Sequence, residues 1–279
     1  MMRMLAVAAL PLVLAACTEA PAGEPVTRVN LDGTPIADTP GPSPAPAQAS
    51  APSACRKVVF EEVPLVHCTA DPAAHRITMA NAGADSQPFA SLSAFAASVD
   101  PEAIAFAMNG GIYGDDLKAI GYYVENGERL SELDRGDGEG NFYMKPNGVF
   151  FGTGGQWRVI ASETFFATVD ERPEFGTQSG PMLVIEGKLH PDIQDNGPSR
   201  AIRNGVGVDA QGKAHFVIAD APVSFGQLAR YFRDEVKVAN ALYLDGLVSG
   251  LWDPAGGRMD QTRVGPIIVV TKREKAAGA

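Results

Sequence analysis

The chain has 279 residues, 45% of them hydrophobic and a fifth charged, so it can bury the core of one sizeable domain or of two small ones. Its formal net charge of −10 argues against general electrostatic attraction to nucleic acid or to anionic lipid. No nucleic-acid partner is therefore predicted, although local basic sites are compatible with this balance.

The first residues have the layout of a secretory signal. Arg3 precedes an apolar run over residues 4–14, which leads into Ala15, Ala16 and Cys17. The run is shorter than the roughly 20 residues that a transmembrane helix needs. Its end resembles the lipobox of bacterial lipoproteins, which implies cleavage before Cys17 and acylation of its thiol. An ordinary secretory signal followed by a coincidental cysteine is the alternative.

These features predict a signal peptide over residues 1–16 and an exported lipoprotein of the cell envelope. Its lipid on Cys17 would hold it to a membrane, at the periplasmic face of the outer membrane in a host with two membranes. Residues 17–54 are rich in proline and alanine, with prolines on alternate positions from Pro40 to Pro46. Such a segment cannot bury enough apolar surface to offset its ordering entropy, so we predict a disordered, semi-extended tether.

Cys55 and Cys68 remain if Cys17 carries lipid. Two short strands, over residues 57–60 and 65–66, flank a Glu-Glu-Val-Pro turn and would fold back as a hairpin that brings the two sulfurs together. A structural disulfide is the interpretation, since disulfides persist in exported proteins; two free thiols are the alternative. Metal binding by this pair is not predicted, because His67 is the only further ligand nearby.

Residues 55–273 are predicted to form one domain. Apolar or alternating segments predict strands, and helical spacing predicts short helices over 91–98 and from Ser224, with a capped helical turn from Ser162. The predicted strands cover residues 75–79, 104–108, 120–124, 141–151 with an internal turn, 156–160, 182–185, 201–209, 214–218, 241–244 and 265–271. Strands outnumber helices without regular alternation, so the predicted class is α+β: a β-rich single domain with mixed sheets and a few short helices.

Residues 134–141 are acidic and glycine-rich, with Asp134, Asp137 and Glu139. Their spacing does not match a helix–loop–helix calcium site, and a solvated loop is the interpretation. No cofactor is predicted, although a divalent cation such as calcium stays an open alternative. The histidines show no short ligand spacing, so no metal site is predicted.

One strand end stands out as a candidate for chemistry. The apolar run 241–244 leads directly into Asp245 and Gly246, so the carboxylate lies on a rigid strand end beside an accessible loop. An Asp-Gly turn, in which Asp245 bonds its own backbone, is the alternative. Three other turns place small or polar residues beside apolar runs, and the four edges can converge on one cleft. The three begin at Asn109, Gln178 and Arg200.

Taken in order, these blocks resemble the phosphodiester glycosidase family, the relatives of the lysosomal uncovering enzyme. They are Asn109-Gly-Gly-Ile-Tyr, Gln178-Ser-Gly-Pro-Met-Leu, Arg203-Asn-Gly-Val-Gly and Leu244-Asp-Gly-Leu-Val-Ser249, and the stretch from Asn141 to Phe150 resembles a bacterial branch of the family. The family's Asp-Gly-Gly-Gly-Ser loop carries Leu247 and Val248 here in place of two glycines.

The resemblance implies hydrolysis of a sugar-1-phosphodiester, such as a sugar phosphate or envelope polysaccharide, through an oxocarbenium-like state. It implies Asp245 and Asp220 as the carboxylates and Arg200 or Arg203 as a bidentate phosphate clamp. Turn capping by Asp220 and ion pairing by the arginines are the alternatives. The other substrate-binding positions implied are Asn109, Gly110, Gly111, Gln178, Ser179, Gly180, Asn204, Gly246 and Ser249. A non-catalytic, lipid-tethered glycan-binding or scaffold protein on the same fold is the alternative function.

Overall fold

The structure is a computed structural model that describes residues 52–245 and 248–273. The predicted signal peptide over 1–16, the lipidation site Cys17, nearly all of the predicted tether over 17–54, and Gly246 lie outside the described residues. No helix within the described ranges is long and apolar enough to cross a membrane.

The described residues form strands far more than helices. The strands are β1 Cys55–Phe60, β2 Val63–Ala70, β3 His75–Ala80, β4 Ile104–Asn109, β5 Tyr123–Glu125, β6 Glu128–Ser131, β7 Gly148–Thr153, β8 Gln156–Ala161, β9 Phe175–Ser179, β10 Met182–Ile185, β11 Lys188–Leu189, β12 Asn204–Val208, β13 Ala214–Ala219, β14 Asn240–Tyr243, β15 Leu251–Asp253, β16 Arg258–Met259 and β17 Ile267–Lys272. The helices are α1 Leu92–Ala96, α2 Ser162–Thr168 and α3 Phe225–Arg230, with a π-helix Tyr231–Val236 and short 3₁₀ helices Pro101–Ala103 and Asn141–Tyr143.

The strands form three sheets. The first has the order β1-β2-β13-β12-β14-β10-β11, the second β16-β15-β4-β17-β3 and the third β6-β5-β9-β7-β8. The α+β class is therefore confirmed. The sequence predicted mixed sheets, but every ladder between the described strands is antiparallel.

The three sheets share one apolar core. Phe216 of the first sheet packs edge-on against Phe106 of the second, at 5.3 Å between ring centroids, and against Phe150 of the third, at 5.7 Å. All three rings are fully buried. One aromatic side chain from each sheet thus marks the point where the sheets pack together, and such edge-to-face pairs add to the free energy of area burial.

The predicted hairpin and disulfide are confirmed. Cys55 and Cys68 are direct partners across β1 and β2, and their sulfurs are bonded. The turn is shorter than predicted: Glu61 and Glu62 both have positive φ, and the strand resumes at Val63. Two such residues match the right-handed twist of the flanking strands, which closes the hairpin in two residues rather than four.

The segment before β7 was wrongly predicted as a strand. Residues Asn141–Tyr143 form a 3₁₀ turn, because Met144 N donates back to Asn141 O (3.2 Å). The Asn147 side chain donates to the carbonyl oxygen of Phe142 (2.9 Å), which occupies an acceptor that a strand ladder would use. Strands β9 and β15 were not predicted.

Helices α1 and α3 begin where the sequence predicts. Ser91 caps α1, and Ser224 caps α3 by accepting from Gln227 N (3.1 Å). The capping box of α3 is half formed, because the Gln227 side chain donates to Glu61 O (3.3 Å) instead of returning to the cap. Residue Ser162 is the first residue of α2 and not its cap.

Candidate active site

The predicted strand ends meet in one place. Asn109 ends β4 in the second sheet, and Asn204 begins β12 in the first. The Asn109 side-chain oxygen accepts from Asn204 Nδ2 (2.6 Å) and from Gly250 N (2.9 Å). Two sheets are therefore joined by one buried amide pair, at the end of β4 where Asp245 and Ser249 also lie.

Asp245 is held at both of its backbone polar groups. Its N–H donates to Asn204 Oδ1 (3.2 Å), and its carbonyl oxygen accepts from Ser249 Oγ (2.8 Å). The Ser249 hydroxyl also lies within hydrogen-bond distance of Ile202 O (3.1 Å). Asp245 is 8% exposed, so it is buried on a backbone that these hydrogen bonds fix. We call Asn109, Asn204, Asp245 and Ser249 the junction.

The charge of Asp245 shifts the pKa of two tyrosines, Tyr113 and Tyr243. Burial raises the pKa of Tyr113, and the Asp245 carboxylate raises it further, while Arg263 works in the opposite direction. Burial also raises the pKa of Tyr243 to about 12, with Arg203 opposing and Asp245 adding to the shift. Both phenols therefore stay protonated near neutral pH and can donate hydrogen bonds beside the carboxylate.

Arg203, predicted as a phosphate clamp, is used inside the protein. It is 2% exposed and donates to Val223 O (3.0 Å), to Tyr243 Oη (3.0 Å) and to Ser199 Oγ (2.9 Å). Its guanidinium also lies 3.7 Å from the centre of the Phe225 ring. These contacts place Arg203 to orient Tyr243 and leave it out of reach of a ligand in this conformation.

Gln178 is also committed to the protein. Its side-chain oxygen accepts from Tyr122 N and Asp134 N (both 2.9 Å), and its nitrogen donates to Asp134 O (2.7 Å) and Ser162 Oγ (3.1 Å). These four bonds use the amide's usual capacity. The structure thus places Gln178 as a tie between segments and does not point it at a sugar hydroxyl. The Ser179 hydroxyl likewise donates to Leu244 O, behind the strand that carries Asp245.

The predicted cradle glycines are packed against protein. A Cβ on Gly111 would lie 2.3 Å from Gln178 O, and one on Gly180 would lie 2.7 Å from Phe142 O. Gly110 is tight against Met79 and Pro266. Gly111 thus allows close approach between the second and third sheets, whereas Gly110 packs within the second and Gly180 within the third. Packing explains all three positions.

Arg200, the other predicted clamp, lies in a different cavity. It donates to Gln227 Oε1 (3.3 Å) and to Asn196 Oδ1, in a cavity of about 650 Å³ that also contains Arg230 and Glu61. The structure does not bring it to the cleft that contains Ser249.

An open cleft of about 780 Å³ lies beside the junction. Ser249 and the predicted Asp220 line it, together with Ala201, Ile202, Ala219, Arg258, Asp260, Gln261 and Thr262. Arg258 donates from one nitrogen to Asp220 Oδ1 (2.7 Å) and from another to Asp260 Oδ2 (2.8 Å). Burial opposes the charge on Arg258, but these hydrogen bonds and the two carboxylate charges outweigh it and raise its pKa. We call this space the cleft.

Arg258, Asp260, Tyr113 and Tyr243 were not assigned from the sequence. The signal for the first two is the polar run from Arg258 to Arg263, which separates two apolar strands and alternates charge. Tyr113 ends the Asn109 block, and Tyr243 is the residue before Leu244. Gly246 lies outside the described residues. Within the described ranges, no three His, Cys, Asp or Glu side chains are grouped to hold a metal ion.

This β-rich fold, in which strand ends meet at a buried junction, is the fold of the phosphodiester glycosidases. The model of the phosphodiester glycosidase family matches residues 102–271, a range that includes the junction and the cleft. The chain belongs to the phosphodiester glycosidase family, as the sequence blocks predicted.

Known proteins similar to this chain include one from Escherichia coli and one from zebrafish. The uncharacterised protein YigE of Escherichia coli K12 is 34% identical over 189 residues, which cover 67% of this chain and 74% of YigE. The catalytic domain of zebrafish N-acetylglucosamine-1-phosphodiester alpha-N-acetylglucosaminidase, solved in a form auto-inhibited by its pro-peptide, superposes with a TM-score of 0.54. It is 12% identical, over 78% of this chain and 82% of that domain, which shows a common fold.

Proposed function

We propose that this protein is an exported, lipid-anchored hydrolase that cleaves a sugar-1-phosphodiester in an envelope glycan or glycoconjugate. The observation that carries the proposal is the placement of Asp245. Its backbone is fixed on both sides by buried side chains, beside a cleft with further carboxylates. Membership of the phosphodiester glycosidase family and the activity named for the zebrafish relative support the same chemistry.

The reaction breaks the bond between the anomeric carbon and the phosphate oxygen. Positive charge develops on the sugar ring, and a carboxylate held beside it stabilises that charge, attacks the anomeric carbon or activates water. Asp245 takes this part because hydrogen bonds hold its backbone before substrate arrives, so little reorganisation accompanies the reaction. The phosphomonoester leaves readily, so neutralising its charge matters more than strong acid catalysis.

The cleft suits the sugar better than the phosphate. Asp220 and Asp260 together carry one more charge than the Arg258 between them, which leaves the group net negative. Such a group repels a phosphate but accepts hydrogen bonds from hydroxyls. Ile202, which is 37% exposed, offers an apolar surface for the face of a sugar ring. Asp220 stays the candidate second carboxylate.

The phosphate is then expected near Tyr113 and Arg263. The Asp245 carboxylate raises the pKa of the Tyr113 phenol and the Arg263 guanidinium lowers it, so both charges act at this phenol. The Tyr113 hydroxyl donates to Arg263 O (3.0 Å) and thereby fixes the start of that side chain. An exposed guanidinium at this place can bond two phosphate oxygens as the leaving group departs.

The test is hydrolysis by the purified full-length protein. A panel of sugar-1-phosphodiesters, beginning with an N-acetylglucosamine-1-phosphodiester, is incubated with and without a chelator in water enriched in heavy oxygen. We expect equal amounts of free sugar and phosphomonoester, with the heavy oxygen in the sugar. Heavy oxygen in the phosphate would mean cleavage of the P–O bond and would contradict a glycosidase. If the protein hydrolyses none of these compounds but binds glycans, the proposal of a hydrolase is replaced by that of a tethered glycan-binding protein.

The lipid anchor has its own test. Cys17→Ser removes the thiol that would be acylated, so we expect the variant to stay unprocessed or to leave the membrane fraction. The control is the parent protein, whose mass should show the acyl groups. A processed Cys17→Ser protein that still fractionates with membranes would contradict the lipoprotein proposal without touching the proposed reaction.

A further inference from the structure

A second polar cluster lies on the first sheet and belongs to neither the junction nor the cleft. Asp209, His215, His67 and Tyr231 are joined in a line by three hydrogen bonds. Asp209 Oδ2 lies 2.9 Å from His215 Nε2, His215 Nδ1 lies 2.9 Å from His67 Nε2, and His67 Nδ1 lies 2.9 Å from Tyr231 Oη. We call these four side chains the relay.

The direction of every bond in the relay is determined from both ends. At one end, the Asp209 carboxylate accepts, so His215 carries its proton on Nε2 and its Nδ1 is an acceptor. His67 must then donate from Nε2. At the other end, a guanidinium only donates, and Arg56 lies 3.3 Å from His67 Nδ1, which must therefore be unprotonated. Both constraints give the Nε2–H form of each histidine, with the Tyr231 hydroxyl donating to His67.

The surroundings differ strongly along the relay. His67 is 4% exposed and faces Arg56 of β1 and Tyr231 of the π-helix. A cavity of about 350 Å³ opens on these three side chains and is also lined by Glu61 and Glu235. At the opposite end the side chains of His215 and Asp209 are 13% and 14% exposed, and Asp209 also accepts from the backbone amides of Gln211 and Lys213.

We propose that Asp209, His215, His67 and Tyr231 form a single proton-binding site. It takes up one proton and reverses both hydrogen bonds of His67, while His215 Nε2 keeps donating to Asp209. The added positive charge belongs on His215, beside the Asp209 carboxylate and away from Arg56. His67 stays neutral, because a second charge would place two N–H groups head to head between the rings.

The proton movements balance. The Tyr231 hydroxyl proton passes to His67 Nδ1, the His67 Nε2 proton passes to His215 Nδ1, and the Tyr231 oxygen takes one proton from solvent hydronium that reaches the cavity. The net change is one proton bound. His67 becomes the Nδ1–H form and now donates to Tyr231, whose own hydrogen turns toward the cavity. Arg56 meanwhile loses its acceptor on His67, so acid changes the donors that the cavity presents.

The charges around the relay agree with this assignment. Burial, His215 and Arg56 lower the pKa of His67 to about 3, so His67 does not hold the proton itself. Burial opposes ionisation of Asp209, but hydrogen bonds from His215 and from two backbone amides lower its pKa, so a carboxylate is present to stabilise a charged His215.

The experiment is a pH titration of the full chain, followed by long-range nitrogen–proton correlation spectra of the histidine rings. At neutral pH we expect the Nε2–H form for both His67 and His215. On acidification His215 should become doubly protonated, and His67 should change to the Nδ1–H form with the same midpoint. His75 is the matched control. Its Nδ1 accepts from the Asp71 backbone amide and its ring is not bonded to another histidine, so its protonation should not change the tautomer of any other ring.

Two variants sharpen the result. Asp209→Asn keeps an acceptor for His215 but removes the charge, so the shared midpoint should move to lower pH. Tyr231→Phe removes the acceptor for a protonated His67 Nδ1, so the change of form at His67 should disappear. The proposal is overturned if His67 is in the Nδ1–H form at neutral pH, if it keeps Nε2–H while His215 protonates, or if both rings become doubly protonated. A protein that unfolds before His215 protonates would also overturn it.

Discussion

The junction and the cleft lie side by side, yet they are built in opposite ways. The junction is dry: Asn204 is fully buried, Asn109 is 2% exposed and Ser249 is 7% exposed. Its side chains bond to one another and to backbone. In the cleft, the side chains of Asp220, Arg258 and Asp260 are about a quarter exposed, at 30%, 24% and 26%. The junction fixes a position, and the cleft offers groups to a ligand.

This difference shows which kind of residue the family's sequence blocks contain. The blocks that identify the family contribute Asn109, Gln178, Arg203 and Asn204, and each of these is used to hold backbone or a neighbouring side chain. The side chains that face open space, Arg258 and Asp260, lie in a stretch that carries no recognisable block. Precise placement of one carboxylate needs many buried polar partners, and those partners dominate the pattern.

Asp245→Asn should give the largest effect, because Asp245 is where the two regions meet. The substitution keeps the size and the backbone hydrogen bonds but removes the charge that opposes oxocarbenium development. Hydrolysis of a sugar-1-phosphodiester should fall by orders of magnitude, measured as initial rate at saturating substrate. Thermal unfolding should barely change. A folded Asp245→Asn protein with near-parental turnover would break the mechanism and leave Asp245 as a turn residue.

Two arginine-to-lysine changes compare an arginine of the cleft, Arg258, with Arg203, a buried arginine that holds Tyr243 beside the junction. Arg258→Lys loses the bridge between two carboxylates, so the rate should drop about tenfold or more, which corresponds to about 1.4 kcal/mol of barrier. The stability of Arg258→Lys should change by less than that of Arg203→Lys, because its ion pairs are only partly buried and solvent screens them. Arg203→Lys should show the opposite pattern, with its main effect on stability rather than on rate. Its melting temperature should fall, because hydrogen bonds from a buried cation contribute about 1.5–3 kcal/mol each.

The same comparison fails if the two variants behave alike. Equal losses of stability would mean that Arg258 is structural, and a kinetic defect confined to KM in Arg203→Lys would mean that Arg203 reaches the ligand. Both rates and denaturant midpoints are needed on each protein.

Asn204→Ala should lower stability by about 1–3 kcal/mol, because it leaves the Asn109 oxygen and the Asp245 amide with a lost partner each. The matched variant is Asn204→Asp, which keeps the acceptor for Asp245 N but replaces the donor to Asn109 with a buried carboxylate oxygen facing the Asn109 oxygen. We expect a larger loss of stability in urea unfolding than for Asn204→Ala, because the new charge is buried against an acceptor. An unchanged midpoint in both variants would show that the junction is not held as described.

Tyr113→Phe should have the smallest effect. It removes one exposed hydrogen bond to Arg263 O, so stability should change by no more than about 1 kcal/mol. Turnover should fall only several-fold, through looser placement of Arg263, and more for substrates with a poor leaving phosphate. Arg263→Gln is the paired variant and should lose more activity than Tyr113→Phe. An inert Arg263→Gln would move the phosphate away from this side of Asp245.

Local patterns in the sequence predicted the local parts of the fold. The β1–β2 and β12–β13 hairpins, the Ser91 and Ser224 caps and the strand before Asp245 depend on neighbouring residues, and each is present. Strand β9 was missed because Gly176, Thr177 and Gln178 lack both alternation and branched apolar residues. Its pairing with β5 and β7 is decided by packing that no window of the sequence contains.

The sequence could predict where the candidate site lies, but not which side chains face the cleft and which bond inside the protein. Asp245 at a strand end and the meeting of the Asn109 and Asn204 turns follow from strand edges. The bond between Asp220 and Arg258 spans 38 positions and crosses from the first sheet to the second, so its pairing was out of reach. Arg200 and Arg203 are close in sequence, yet one faces another cavity and the other is buried, because the chain turns between them.

The saturated amide of Gln178 has a consequence for how this chain can vary. Replacing glutamine by glutamate needs a single base change in the codon and leaves the shape of the side chain almost unaltered. It would nevertheless exchange two donors for two acceptors and set a negative charge against the carbonyl oxygen of Asp134. A substitution that one base change can produce is thus among the least tolerable, whereas a bulkier side chain at the exposed Glu139 costs little. Tolerance of this substitution at position 178 depends on which side-chain atoms donate and which accept hydrogen bonds, and the unchanged side-chain volume does not predict it.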